Sequence, residues 1–248
     1  MNYGVILASG KGKRVKDNIN IPKQFRELNG IPIIVYTIRK FLDTSSFNYI
    51  FIAVSEEYVN CIKQIIDKYF DEEESKKIVV TIGGKERIDS IINAISKIEK
   101  VNVIGEDDVV VIHDAVRPFV SNKILLDNIN NARKYGAVVT SIPVTDTLLI
   151  SSSGDVVDEI PKRSLYYKGQ SPDSFKLKLF IDLLSKLSDE DKAIMTGTSQ
   201  VCTLNDYPIY MVEGDELNFK ITTSSDFIIA EAIAREEVKK WLQLKKFL

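Results

Sequence analysis

Short runs of apolar, mostly β-branched residues alternate with longer helical patterns between residues 3 and 143, and this alternation constrains the fold more than any other feature. Several of the short runs are apolar at every position, as VVVI is at residues 109–112. Strands of this kind are buried on both faces, which requires helices on both sides of a largely parallel sheet. The pattern therefore predicts an α/β fold with a Rossmann-like, mostly parallel, doubly wound sheet.

The predicted elements cover most of the chain. The strands are expected at residues 3–8, 49–54, 77–82, 108–113 and 137–143, with a further one at 208–212. The helices are expected at residues 32–41, 57–70, 87–98, 122–134, 176–187 and 224–242. Neither a linker nor a shift in composition interrupts the sequence, so we expect a single domain spanning residues 1–248.

Residues 146–168 break the alternation of strands and helices. Two extended runs, at 147–151 and 156–160, flank the polar turn SSGD at residues 152–155. This arrangement predicts a β-hairpin. From these residues alone, the hairpin either projects toward a partner subunit or folds back onto its own domain.

Charge and composition limit the classes of partner. The chain has 33 basic and 35 acidic residues and a formal net charge of −2, which gives no reason to expect nucleic acid or an anionic membrane as partner. The apolar run at residues 3–8 is too short for a signal peptide or a membrane span, so we expect a soluble, cytoplasmic protein. Cys61 and Cys202 lack a metal-ligand pattern and are expected to be small buried residues.

The segment after the first predicted strand has the composition of a phosphate-binding loop. It reads LASGKGKR at residues 7–14, and Lys23 follows in the segment PKQ. Glycines let backbone N–H groups approach a phosphate chain, and the basic residues add positive charge. A Walker A loop would have Ser or Thr in place of Arg14, and a dinucleotide-binding loop would have glycine in place of Val15, so both are disfavoured.

Two further strand ends carry candidate site residues. The segment HDAVRPF at residues 113–119 places Asp114 at the carboxyl end of a strand. There it can hold Mg²⁺ against phosphate oxygens, pair with Arg117 or cap the next helix, and spacing alone does not decide. His113 is expected to be structural, because a phosphate nucleophile is already ionised and needs no general base. The segment GGKERIDS at 83–90 can bind a pyrimidine or form an ordinary strand-to-helix turn.

These segments, in this order, resemble the signature of cytidylyltransferases that charge a sugar or polyol phosphate with CTP. The family includes ribitol-5-phosphate and 2-C-methyl-D-erythritol 4-phosphate cytidylyltransferases. The later segments PVTDT (143–147), IPKR (160–163), GQSPD (169–173) and LNFKIT (217–222) extend the resemblance, which covers about residues 5–232. It implies the nucleotide-diphospho-sugar transferase type of fold, CTP and a polyol phosphate as substrates, Mg²⁺ as cofactor, and a homodimer formed through the arm at about residues 146–168.

The resemblance also implies roles for individual residues. Arg14, Lys23 and Lys220 would be catalytic, stabilising charge on the α-phosphate and the pyrophosphate, and Asp114 would hold the metal. The nucleotide would be bound by Leu7, Ala8, Ser9, Gly10, Gly12, Gly83, Gly84, Lys85, Ser90, Asp114, Ala115 and Arg117. The acceptor would be bound by Asp146, Thr147, Arg163, Ser171, Thr196 and Thr222, with Arg163 reaching across the dimer interface.

Two positions depart from the family pattern and leave alternatives open. Relatives usually have Asp in place of Gly197 and Gln in place of Asp173. Segments such as VRPF at 116–119 and YKGQ at 167–170 favour D-ribitol 5-phosphate as the acceptor, in teichoic acid or capsule synthesis. The alternatives are 2-C-methyl-D-erythritol 4-phosphate, in isoprenoid synthesis, and a catalytically inactive nucleotide-binding protein. An NAD-dependent dehydrogenase is disfavoured by the absent third glycine.

Overall fold

The structure is a computed structural model that describes residues 1–10 and 21–245, with side chains up to residue 237. The strands are β1 (Asn2–Leu7), β2 (Glu27–Leu28), β3 (Ile31–Pro32), β4 (Tyr49–Val54), β5 (Ile78–Ile82), β6 (Val109–Asp114), β7 (Ala137–Pro143), β8 (Tyr167–Lys176) and β9 (Tyr210–Glu213). The helices are α1 (Ile33–Asp43), α2 (Val59–Tyr69), α3 (Glu72–Ser75), α4 (Arg87–Val101), α5 (Asn122–Tyr135), α6 (Leu177–Ser185), α7 (Asp189–Ile194), α8 (Gln200–Thr203) and α9 (Ser224–Lys245).

Seven strands form one sheet in the order β5-β4-β1-β6-β8-β7-β9. β1 lies parallel to both β4 and β6, so that Leu7 is opposite Ala53 on one side and Asp114 on the other. β8 runs antiparallel between β6 and β7. The predicted mostly parallel α/β sheet is confirmed. The carboxyl ends of β1, β4, β5 and β6 meet at one edge, where sheets of this kind bind their ligands.

Helices cover both faces of the sheet and explain the all-apolar strands. Successive residues of a strand point to opposite faces. Ile6 and Val111 join the apolar cluster under α1, α2 and α5, whereas Val5 and Val110 join the cluster under α4 and α6. All four side chains are fully buried. Since the middle positions of these strands are covered by helices on both faces, apolar residues occupy them without alternation.

The arm differs from the predicted hairpin. Its two runs are joined by a single antiparallel bridge, between Ile150 and Glu159, and form no ladder within the described residues. The turn is closed by a hydrogen bond from Ser151 Oγ to the carbonyl oxygen of Val156, at 2.5 Å. The two predicted runs thus lie antiparallel around a turn, as a hairpin requires, but they form one bridge in place of regular strands. A pair of short runs without a covering surface gains too little apolar burial to form a regular ladder, and Val156 is 66% exposed.

β8 is a central strand that the sequence patterns do not predict. Its pairing with β7 is irregular, because Val139 lies opposite Asp173 whereas Ser141 lies opposite Gly169. The extra residues of β8 form a bulge, a feature that often re-aims side chains next to active sites. Ser171, within this bulge, contacts the end of β6. Among the described helices, none is long and apolar enough to cross a membrane.

Candidate active site

A cleft of about 1160 Å³ opens at the carboxyl ends of the parallel strands. Its volume lies slightly above the range of typical small-molecule sites, as a nucleotide with a second substrate requires. Predicted site residues form a large part of its wall: Leu7, Ser9, Gly10, Lys23, Gly83, Gly84, Lys85, Ser90, Asp114, Lys220 and Thr222. The structure thus brings together segments that lie more than 200 residues apart in the chain.

One end of the cleft is a narrow pocket of backbone and hydroxyl groups. Ser90 Oγ accepts a hydrogen bond from the N–H of Gly84 at 3.0 Å and lies 2.8 Å from Ser9 Oγ. A Cβ atom on Gly83 would lie 2.7 Å from the Cβ of Ser9 and 3.0 Å from Ser90 Oγ. Position 83 therefore requires glycine, because the segments that follow β1 and β5 approach each other so closely. A pocket of this kind suits a flat base that forms hydrogen bonds with hydroxyl and backbone groups.

Gly83→Ala should therefore weaken CTP binding without unfolding the protein. The added methyl group forces Ser9 and Ser90 apart by several tenths of an ångström, and we expect the dissociation constant to rise about tenfold, the equivalent of one lost hydrogen bond. Calorimetric titration with CTP measures the change. Gly169→Ala is the matched control, because a Cβ there meets no atom within 4 Å. Equal affinities for the two variants would contradict the assignment.

The other end of the cleft carries a cluster of charges around Asp114, at the end of β6. Arg87, the first residue of α4, donates from Nη1 to Asp114 Oδ1. Lys220 Nζ lies 2.9 Å from Asp114 Oδ2, and Arg117 Nε lies 3.8 Å from the same oxygen. Burial raises the pKa of Asp114, but Arg87 and Lys220 outweigh it and hold this pKa well below its usual range. The carboxylate therefore stays charged and fixes the cations at the cleft.

His113 supports this cluster from inside the protein. It is completely buried. Its Nδ1 lies 3.0 Å from Ser171 Oγ, and its Nε2 lies 3.0 Å from the carbonyl oxygen of Arg117. Since Ser171 Oγ accepts the N–H of Asp114, its proton is directed to Nδ1 and the ring donates from Nε2. Burial lowers the pKa of His113 to about 4, so the ring is neutral and structural.

Lys23 is brought to the same region by a short helical turn after the loop. Its Nζ donates to the carbonyl oxygen of Thr222 at 2.8 Å, which links it to the segment that carries Lys220. The neighbouring Gln24 donates to the carbonyl oxygen of Ala8 at 2.5 Å and anchors the turn to the end of β1. Two of the three predicted catalytic cations thus lie on the cleft wall.

Several predicted residues lie elsewhere. Gly12 and Arg14 fall outside the described residues. Four others, Ala8, Ala115, Arg117 and Ser171, stand behind the cleft wall and support it.

The predicted acceptor residues are not assembled in one chain. Asp146, Thr147 and Arg163 are exposed on the arm, where Arg163 Nη1 donates to the carbonyl oxygen of Thr145 at 2.6 Å. Thr196 is also exposed, and its hydroxyl lies 3.0 Å from Gln200 Oε1. A Cβ on Gly197 would meet only Ser199 Oγ, at 3.8 Å, so packing does not force the departure from Asp at this position.

Arg87 is the main functional residue that the sequence predictions missed. It is present in the segment GGKERIDS but was given no role. The signal was its place at the start of the helix that follows β5, because that position lies at the ligand-binding edge of the sheet. Other cleft residues without a predicted role are Gln24, Ser55, Glu56, Glu57, Ile82, Glu86, Val116 and Ile221.

Comparison with known proteins agrees with this geometry. The family model described as 2-C-methyl-D-erythritol 4-phosphate cytidylyltransferase matches residues 3–236. A 4-diphosphocytidyl-2C-methyl-D-erythritol synthase from Anaerococcus prevotii is 26% identical, with a TM-score of 0.74 over 94% of this chain and 98% of that one. The 2-C-methyl-D-erythritol 4-phosphate cytidylyltransferase of Francisella tularensis is 27% identical, with a TM-score of 0.74 over 92% and 97%.

The enzyme of the same name from Thermus thermophilus shares the fold, with 24% identity and a TM-score of 0.72 over 95% of this chain and all of that one. The family match covers nearly the whole chain, and the predicted nucleotide segments meet in one cleft. The chain therefore belongs to the 2-C-methyl-D-erythritol 4-phosphate cytidylyltransferase family and is a CTP-dependent nucleotidyltransferase.

Proposed function

We propose that this chain transfers CMP from CTP to the phosphate of a small polyol phosphate and releases pyrophosphate. The observation that carries this proposal is the cluster at Asp114, where Arg87, Arg117 and Lys220 surround one carboxylate. Three cations therefore lie around one carboxylate at this end of the cleft. The cluster lies in the same cleft as the Ser9–Ser90 pocket, so a base held in that pocket directs its phosphates toward the cations.

The reaction follows from this arrangement of charge. A phosphate oxygen of the acceptor attacks the α-phosphorus of CTP and forms a new P–O bond, while the bond to the bridging oxygen breaks and pyrophosphate leaves with the electron pair. No proton has to be removed, so positioning and charge stabilisation supply the catalysis. Lys220 and Lys23 stabilise charge on the α-phosphate and the leaving group, and Asp114 holds Arg87 and Lys220 in place.

Enzymes of this family generally use a divalent metal, and we propose Mg²⁺ with Asp114 as its protein ligand. A carboxylate oxygen is the donor that Mg²⁺ prefers, and phosphate oxygens and water complete its shell. The residues fit this role, although Asp114 Oδ2 is paired with Lys220 at 2.9 Å and this pair would have to open. When bound, the ion neutralises charge on the triphosphate.

Methylerythritol 4-phosphate is the acceptor that the comparisons support better. The matched family model and the similar solved structures bear the name of this substrate or of its product. The chain also covers 97–98% of two of those relatives, so the likeness extends over nearly their whole length. We therefore propose 4-diphosphocytidyl-2-C-methyl-D-erythritol as the product, with the names of these relatives as its support.

D-Ribitol 5-phosphate is the second candidate acceptor, and particular segments favour it. The residues VRPF at 116–119, IPKR at 160–163, YKGQ at 167–170 and KITT at 220–223 resemble the ribitol enzymes of the same family. Three of these segments contribute to or adjoin the cluster at Asp114, as Arg117, Ser171 and Lys220 show.

Pyrophosphate release with CTP and Mg²⁺ separates the two acceptors. We expect turnover with one of the two polyol phosphates at a kcat/KM at least 10²-fold above the other, because a site built for one set of hydroxyl groups leaves polar groups unpaired with another. Comparable turnover with both would contradict a dedicated acceptor. CTP binding without turnover of either acceptor would support an inactive nucleotide-binding protein instead.

We also propose that the arm forms a homodimer and brings Arg163 to the partner's cleft. The arm exposes several large apolar side chains, which cost free energy in water unless a partner covers them. These are Leu149, Ile150, Val156, Val157 and Ile160, each 44–66% exposed. Light scattering should give twice the chain mass, and Val156→Asp with Ile160→Asp should give the single mass. A monomeric wild-type protein would rule out this role for the arm.

A further inference from the structure

Asp173 is a buried carboxylate for which the mechanism above has no use. It lies in the central strand β8, opposite Ile112 of β6 and Val139 of β7, and it is only 5% exposed. Charged side chains are rarely buried to this extent unless they are paired. Its Oδ1 atom has no hydrogen-bond partner among the described residues. Neither the apolar core nor the sheet hydrogen bonds explain an acid at this position.

The contacts of Asp173 lead to the loop before α8. Its Oδ2 accepts, at 3.2 Å, the backbone N–H of Ser199, the residue that follows Thr198 in the chain. Thr198 is completely buried. Thr196, which stands in the same loop, is the candidate contact to the acceptor. The carboxylate therefore ties this loop to the centre of the sheet.

The same loop connects Asp173 to the cleft. Arg87 Nη2 donates to Thr198 Oγ1 at 3.4 Å. The chain of bonds from Asp173 to Arg87 therefore runs through the backbone N–H of Ser199 and the hydroxyl of the adjacent Thr198. With Asp114 at Nη1 and Thr198 at Nη2, the guanidinium is held from two sides at the cleft wall.

We propose that Asp173 is a positioning residue, which holds the 196–199 loop by its bond to the backbone of Ser199 and thereby places Thr198 and Arg87 in the geometry that binds the substrates. Arg87 lines the cleft next to the phosphates of CTP, and the loop carries the acceptor side. The first effect needs only CTP binding, which the family membership supplies. The second rests on the proposed acceptor chemistry and is measured separately.

A double-mutant cycle on CTP affinity tests the proposal. Asp173→Ala and Thr198→Val each break the chain of bonds, so each should raise the dissociation constant of CTP about tenfold, the scale of a hydrogen bond to a charged group. The double variant should be no weaker than either single one, because both changes remove the same connection. Asp173→Asn keeps an oxygen acceptor and should restore most of the affinity.

Ser174→Ala is the matched control. Ser174 is the next residue of β8 and equally buried, but its hydroxyl donates to Asn128 Oδ1 on the other face of the sheet. The Ser174→Ala variant should therefore bind CTP with the affinity of the wild-type protein. Additive losses in the double variant, or wild-type affinity in Asp173→Ala, would overturn the proposal. Tighter CTP binding in both Asp173→Ala and Asp173→Asn would also overturn it, since the carboxylate would then act only by its charge.

The acceptor arm of the experiment keeps the proposed function separate. If wild-type protein binds CTP but turns over neither polyol phosphate, the acceptor assignment fails and the CTP cycle still decides the role of Asp173. If wild-type protein is active, Asp173→Ala and Thr198→Val should raise the KM of the acceptor beyond the change in CTP affinity, and Ser174→Ala should not.

Discussion

Lys220→Ala is expected to lower kcat by about 10²–10³-fold, the usual consequence of deleting one preorganised donor to a developing charge. Lys220 Nζ lies 2.9 Å from Asp114 Oδ2, on the cleft wall where the proposed mechanism places the α-phosphate and the leaving pyrophosphate. In the free enzyme Asp114 compensates this cation. In the transition state, Lys220 also interacts with the negative charge that develops on the phosphates. Removal of Lys220 should therefore lower kcat by a larger factor than it lowers CTP affinity.

The fold should survive this substitution, which makes the kinetic result interpretable. Asp114 keeps Arg87 and Arg117 as partners, so no buried carboxylate is left without a cation. Lys123→Ala is the matched control, because Lys123 forms an exposed ion pair with Asp127 far from the cleft, and such pairs contribute little. Pyrophosphate release at saturating CTP and acceptor measures kcat. A loss below tenfold would remove Lys220 from the catalytic group.

The sequence predicts the part of the fold whose strands are apolar on both faces. β1, β4 and β6 end within one residue of their predicted ends, because burial on two sides leaves only one kind of side chain at each position. The position of the ligand-binding edge can then be predicted, because it lies at the carboxyl ends of these strands. The nucleotide segments could be placed for the same reason, since each one follows directly on such a strand.

β8 could not be predicted in this way. It contains Gly169, Pro172 and Asp173, residues that are depleted in strands, and it occupies a central place in the sheet. The partners that make these residues tolerable come from distant parts of the chain. Ser171 bonds to β6 and Asp173 to the loop before α8, and no local pattern contains either contact. Tertiary contacts override propensity here.

The acceptor side was the hardest part of the site to place. Motif resemblance assigned Asp146, Thr147 and Arg163 to it, whereas the structure keeps them on the exposed arm. A residue that acts in a partner subunit leaves no trace in the packing of its own chain. Arg87 was missed for a different reason. An arginine at a helix start is common, and its bonds to Asp114 and Thr198, which distinguish it from a solvated side chain, are visible only in the structure.

Asp173→Asn should make the protein more stable at alkaline pH while leaving its stability at acidic pH nearly unchanged. Burial raises the pKa of Asp173 from 3.8 to about 7. The folded state thus binds this proton more tightly than the unfolded state. Stability is therefore lost as the pH rises from about 4 to about 7, where the unfolded chain has released the proton and the folded chain still holds it.

Asparagine does not titrate, so the difference between the two proteins isolates this one group. The other carboxylates, including Asp114, titrate alike in both and cancel. Integrating the shift gives an advantage of about 4 kcal/mol for Asp173→Asn at pH 8 relative to pH 4. Urea unfolding at several pH values measures both curves. Parallel curves would mean that Asp173 is ionised at no cost in the folded protein.

Two results together would identify the role of Asp173: a rise in stability at pH 8 in Asp173→Asn, and a loss of CTP affinity in Asp173→Ala. A residue that serves only the fold lowers stability when it is replaced, and the binding changes follow from partial unfolding. A carboxylate that destabilises the folded state but holds Thr198 and Arg87 in place shows the opposite combination. Function is then what the oxygen acceptor at position 173 supports, and the charge that the carboxylate carries costs stability.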